Sequence, residues 1–194
     1  MKIKWMGRLD EENTFPKSKI PLNAIQFLEP KWKFECYIPI IPIIIFVLCC
    51  VYIKTNFIEK FTLNIIGIII GFFLIIPFLI IHEFLHAICL PQESEVQFFY
   101  SSAGFSTVTT SPIPKLRYIV VLIFPSLVLG IIPLFIWFVI PVKYSILNSS
   151  WFILSIGNLG GAVVDFYNLF HAIKDMPRGS IIQISGFKCY YYLK

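Results

Sequence analysis

The chain has 194 residues, 57% hydrophobic and only 14% charged, with a formal net charge of +5 and a mean hydropathy of +0.79. That composition excludes an ordinary soluble domain and a disordered chain, and it points to a membrane protein. The basic residues flank apolar runs instead of forming a patch, so no nucleic-acid partner is expected. The five cysteines lie in or beside apolar runs or near the end, and do not make a disulfide framework.

Residues 1–35 form a polar arm broken by Pro16, Pro21 and Pro30. It is expected to be a cytoplasmic or interfacial cap, with Asn23 to Leu28 as one short helix or strand. The first 35 residues are polar and charged, so no cleavable leader is expected. Tyr37 to Ile53 is a first span near the short limit for a bilayer. Lys54 to Lys60 reads as a tight polar turn.

The second span, about Phe61 to Leu90, is long. At 1.5 Å per residue its roughly 30 residues reach some 45 Å, more than a ~30 Å hydrocarbon core, so it must tilt, kink or overhang. Pro77 supplies a kink, because it removes one backbone hydrogen bond. Five residues later the span contains His82-Glu83-Phe84-Leu85-His86. Ionisable groups in an apolar span are expensive, and three in five residues need a common reason. On a helix, His82 and His86 share one face one turn apart. That spacing delivers two imidazoles to one Zn²⁺ and leaves Glu83 as general base on a metal-activated water.

Residues 91–116 are the one long loop between spans. Val96 to Tyr100 and Phe105 to Thr109 read as two strands around Ser101-Ser102-Ala103-Gly104. Such a hairpin either covers the metal site or accepts an extended peptide by strand addition. The third span runs from about Arg117 to Ile140, with Pro125 and Pro133 inside it. The fourth is about Trp151 to Ala172. Its Gly157, Gly160 and Gly161 would let another helix approach closely. The tail turns at Pro177-Arg178-Gly179 and continues as β-like runs Ile181 to Ser185 and Phe187 to Leu193 around Gly186.

Four spans put both termini on one side, which carries 13 of the Lys and Arg residues against 3 on the other. The positive-inside rule makes that side the cytoplasm. The second and fourth spans then run in the same direction, and Asp165 falls at a depth similar to His82 and His86. Asp165 is also the only acid in the third and fourth spans. A lone carboxylate there needs a partner or a cation, and a catalytic zinc needs a third protein ligand. Asp165 is therefore the candidate third ligand. Asn168, one turn on, is a candidate to orient it or the substrate, and Asn158 is a further substrate or supporting candidate. Cys89 shares the histidine face and remains a formal alternative. Glu93 and Glu95 lie past Pro91, and His171 lies nearer the interface.

His-Glu-Phe-Leu-His in one span and Asn158-Leu-Gly-Gly-Ala-Val-Val-Asp-Phe-Tyr-Asn168 in a later one resemble the putative zincin peptidase family of small bacterial membrane proteins. That family is similar in plan to the site-2 proteases, which are intramembrane zinc metalloproteases. The resemblance covers about residues 20 to 190. It implies His82, His86 and Asp165 as zinc ligands and Glu83 as the base. Here Val164-Asp165-Phe166 stands where site-2 proteases carry Leu-Asp-Gly.

The expected fold is an all-α membrane protein with about four transmembrane helices. A short β-hairpin is expected between the second and third spans, and a small β-like tail at the end. Its parts are the arm (1–35), a four-span domain with the metal site (36–173) and a cytoplasmic tail (174–194). The expected function is a zinc metalloprotease of the bacterial cell membrane acting on membrane-protein or peptide substrates, with homo-oligomerisation left open. The alternative is a non-catalytic accessory protein with a structural metal, but an intact Glu83 favours the enzyme.

Overall fold

The computed structural model describes residues 2–8, 15–29, 34–101 and 104–193. Asp10, Glu11, Glu12, Pro30, Lys31, Lys33, Ser102, Ala103 and Lys194 lie outside the described residues. The fold is mostly helical with two small sheets. Among the described residues, three helical stretches are long and apolar enough to cross a membrane: Glu35–Ile58, Ile65–Cys89 and Lys115–Val139. A bent pair, Ser145–Gly161 with Val163–Asp175, makes a fourth if it counts as one span.

Two compact units emerge. One comprises Cys36–His82 and Pro125–Tyr167. It contains α1 (Ile40–Ile53), most of α2 (Ile65–Cys89), α4 (Ile132–Val139) and α5 (Ser145–Gly161). Asn64 starts α2, its side-chain oxygen accepting from the amides of Ile66 and Gly67. The helix then runs unbroken through Pro77.

The expected polar turn after the first span is different in the structure. Lys54–Ile58 continues α1 as a wide turn of π-helical geometry, and Lys54 is fully buried. Its ammonium donates to the carbonyls of Trp137 and Ile140 and lies 4.4 Å from the centre of the Trp137 ring. The indole donates in turn to Asn148, whose amide donates to Ile140. A cation that satisfies the open carbonyls at the end of α4 leaves no reason to face water. This knot joins a core of Cys50, Leu134, Trp137, Phe152 and Leu159.

The third span also departs from a regular helix. Between α3 (Lys115–Ser126) and α4, Leu127–Ile131 form a second wide turn. Pro133 lacks an amide hydrogen and crowds the preceding turn, which a widened helix relieves. The fourth span, expected to be one helix, is two. Gly160 and Gly161 are weak helix formers, and at Ala162 the axis turns by 50° into α6 (Val163–Asp175).

Within this unit α2 and α5 pack through glycine. A Cβ on Gly67 would lie 2.4 Å from the Ile146 carbonyl oxygen, and one on Gly71 2.8 Å from Ile153 Cβ. A Cβ on Gly157 would lie 2.4 Å from Ile75, and one on Gly161 3.2 Å from Leu79. Each helix thus carries a Gly-x-x-x-Gly step, the two steps offset along the seam. Gly160, by contrast, would meet nothing within 4 Å. Without side chains at the seam the backbones approach closely, which is how helices gain dispersion contacts in lipid.

The second unit comprises Met1–Glu35, Glu83–Phe124 and Asn168–Lys194. The hairpin forms as expected, with β3 (Glu95–Ser101) antiparallel to β4 (Gly104–Val108). Among its described residues the arm carries two strands, one of them inside the Asn23 to Leu28 segment expected as a short helix or strand. Its β1 (Lys2–Arg8) adds to β3 in parallel, and its β2 (Ile25–Phe27) joins a second sheet in the order β2-β7-β6-β5. There β5 is Ile113–Pro114, and β6 (Ile181–Ser185) turns at Gly186 (φ 62°) into β7 (Lys188–Tyr192). Lys4 and Glu95 pair at 2.8 Å across β1 and β3. The hydrogen bonds from Lys4 and then Gln97 hold the exposed Glu95 carboxyl below its usual range. Ala87, Leu90, Val96, Phe98, Val121 and Ile182 belong to this unit's core.

Candidate metal centre

The parallel seam sets the register of the site. Leu79 meets Gly161 on α5, and one turn further the chain presents His82 on α2 and Asp165 on α6. His82 Nε2 and Asp165 Oδ2 are 3.0 Å apart, with His82 buried and Asp165 half-buried. Asp165 lies in the first turn of α6, created by the bend. The positive end of the helix dipole favours its carboxylate there.

His86 follows His82 by one turn on α2 and is also buried. Its Nδ1 is 2.8 Å from the carbonyl oxygen of Val121 on α3. A carbonyl only accepts, so Nδ1 carries the hydrogen and the neutral ring presents its lone pair at Nε2. Backbone carbonyls orient metal-binding imidazoles in this way. The ligand atoms of His82, His86 and Asp165 all lie within 4.8 Å of one another, the one such cluster among the described residues.

The donor set fits a divalent ion. Zinc with bonds near 2.0–2.1 Å in tetrahedral geometry places its ligand atoms about 3.3 Å apart. Separations from 3.0 Å to at most 4.8 Å accommodate that with small side-chain adjustments. The Asp165 carboxylate beside His82 supplies negative charge that a divalent cation would offset.

Glu83 is half-buried on α2, next to His82. Its backbone carbonyl accepts from Thr107 Oγ1 of β4 at 2.9 Å, and Phe84 packs on Phe98 of β3 with centroids 4.9 Å apart. The hairpin is therefore fastened to the turn of α2 that carries the motif.

The remaining sequence candidates lie elsewhere. Asn168 is half-buried one turn beyond Asp165 and makes no side-chain hydrogen bond among the described residues. Asn158 is buried two turns before Asp165 and donates to its own helix at Leu154. Cys89 is buried outside the cluster, and its carbonyl accepts from Arg117. Glu95 is taken up by Lys4, and His171 by Asp175 on its own helix. The Val121 and Glu83 carbonyls have no sequence signature, because a backbone oxygen is present at every residue.

No curated protein and no solved structure matches this chain. The model of one family does match, over residues 75–181, just over half the chain and the segment that holds both histidines, Glu83 and Asp165. With the buried His-His-Asp cluster already in place, that match decides the relationship: the chain belongs to the family described as putative zincin peptidase.

Proposed function

We propose that this protein is a membrane-embedded zinc metalloprotease that hydrolyses peptide bonds of membrane or membrane-proximal proteins, similar in plan to the site-2 proteases. The observation that carries the proposal is the convergence of His82, His86 and Asp165 within 4.8 Å, on a helix of membrane-spanning length and apolarity and its bent neighbour.

In this reading His82, His86 and Asp165 hold the ion. Bound zinc supplies Lewis acidity, polarising a peptide carbonyl and acidifying a water molecule. Glu83 accepts the proton of the attacking water and returns it to the departing amine. His86 keeps its lone pair aimed through the Val121 carbonyl. The peptide lies extended along β4, whose outer edge has no strand partner among the described residues, whereas β1 and β4 fill both edges of β3. Main-chain hydrogen bonds there would hold a substrate without selecting its sequence.

The test begins with metal content. Wild type purified in detergent is expected to carry about one zinc per chain. His86→Ala and Asp165→Ala should lose it, and Glu83→Gln should keep it. Membrane proteomes of cells with wild type or Glu83→Gln should then differ in cleaved membrane proteins, since losing a general base costs roughly 10²- to 10⁴-fold in rate. Folded wild type without metal would sink the proposal. Identical proteomes with zinc retained would assign the protein to the non-catalytic accessory class with a structural ion.

A further inference from the structure

Beside the glycine seam, α2 and α5 also frame a groove of about 600 Å³. One wall is Ile70, Leu74 and Phe78, a stripe at i, i+4 and i+8. The facing stripe on α5 is Ile146, Ser150 and Leu154. The lining is almost wholly apolar, and its two serine hydroxyls are used internally. Ser150 Oγ donates to the carbonyls of Ile146 and Gly67, and Ser145 Oγ accepts from Asn64.

The charged lining residue is Lys143, at the end where α5 begins. It is exposed and has no carboxylate partner among the described residues. Its ammonium lies 5.1 Å from the centre of the exposed Tyr144 ring. The groove therefore has a cationic mouth and a hydrocarbon wall.

Its dimensions choose the occupant. The eight helical steps from Ile70 to Phe78 measure about 12 Å. That is close to one leaflet, half of a ~30 Å core, and well short of the whole bilayer. A membrane-crossing helix about 30 Å long and 10 Å across occupies roughly 2,400 Å³, several times the space here. A single acyl chain suits both the depth and the volume, and a phosphate headgroup suits Lys143. We propose that this groove binds one anionic glycerophospholipid, with an acyl chain between α2 and α5 and its phosphate on Lys143. The lipid would cover the seam from the Lys143 mouth down to Phe78, one helical turn before His82.

The test uses the full chain in detergent micelles, exposed to phosphatidylglycerol or phosphatidylcholine with identical acyl chains, and counts retained lipid by native mass spectrometry. Wild type should retain one phosphatidylglycerol in preference to phosphatidylcholine. Lys143→Gln should reduce that preference about fivefold, the effect of one surface cation on an anionic lipid. Leu147→Trp, which fills the groove from its exposed rim, should abolish retention of both, with helix content and thermal unfolding confirming that each variant is folded. Equal retention of the two lipids by wild type, or unchanged retention in either variant, would overturn the proposal. So would retention of an apolar peptide of about 20 residues in place of lipid that is lost in Leu147→Trp, because it would give the groove to a protein segment.

Discussion

Lys54 shows what a single buried cation does in this protein. Its ammonium satisfies two carbonyls at the end of α4 and rests on the Trp137 ring. Lys54→Met keeps the stem but removes the ammonium donor from the Trp137 carbonyl, while Ile140 keeps only the amide of Asn148. It should cost about 1–3 kcal/mol in thermal unfolding and leave bound zinc unchanged, because Lys54 lies far along α1 from the metal ligands in sequence and shares no contact with them. An unchanged melting temperature would show that the ammonium contributes nothing net. Cys189 on β7, half-buried, is a group of the opposite kind. Burial pushes its thiol from 9.0 up to about 11. The folded chain then holds a proton that the unfolded chain releases. The associated stability is intact below pH 9 and lost as pH rises toward 11. Alkylation of Cys189, followed by mass spectrometry of its peptide, should keep accelerating up to about pH 11. A plateau near pH 9 would show an ordinary thiol.

At the scale of elements, the α2–α5 seam decides whether a metal centre exists. Register here is set by four glycines, and His82 and Asp165 meet one turn beyond the last of them. Gly67→Ala places a methyl group 2.4 Å from a backbone oxygen, where no side chain can yield. It should push the helices apart at a cost of roughly 1–3 kcal/mol and lower zinc occupancy by displacing Asp165 from His82. Gly160→Ala meets nothing within 4 Å and serves as the control. It should be neutral or slightly stabilising, since alanine is the better helix former. Equal effects of the two substitutions on zinc content would refute the seam as the cause of register. The bend after Gly161 belongs to the same scale. A straight fourth span would leave Asp165 mid-helix, without the exposed amides that favour a carboxylate in the first turn of α6.

For the whole molecule, strand pairing bears on topology. The arm pairs with the hairpin and with the tail, and β5, just before α3, pairs with β6 of the tail. Segments joined by backbone hydrogen bonds lie on one side of a bilayer, which supports an even number of crossings between them. That agrees with the charge count, so we propose that both termini are cytoplasmic. Green fluorescent protein fused at the C-terminus should fluoresce, and alkaline phosphatase fused there should be inactive. The reverse pair of results would reject the orientation.

What the sequence determined by itself was local or compositional. Continuous apolarity marked the long helices, β-rich runs around turn residues marked β3, β4, β6 and β7, and the i, i+4 spacing put His82 and His86 on one face. Those signals follow from helix and strand geometry, which neighbouring residues carry between them. The depth argument also reached Asp165, because a lone acid in an apolar span is conspicuous at any distance. Tertiary structure decided the rest. The polar-looking β1 became a strand only because β3 offered it an edge. Lys54 went inside only because the end of α4 offered it acceptors. Which glycines mattered, Gly157 and Gly161 but not Gly160, depended on the partner helix and its register. The carbonyl of Val121 that orients His86 is a backbone atom, identical in every residue, so only the fold could select it.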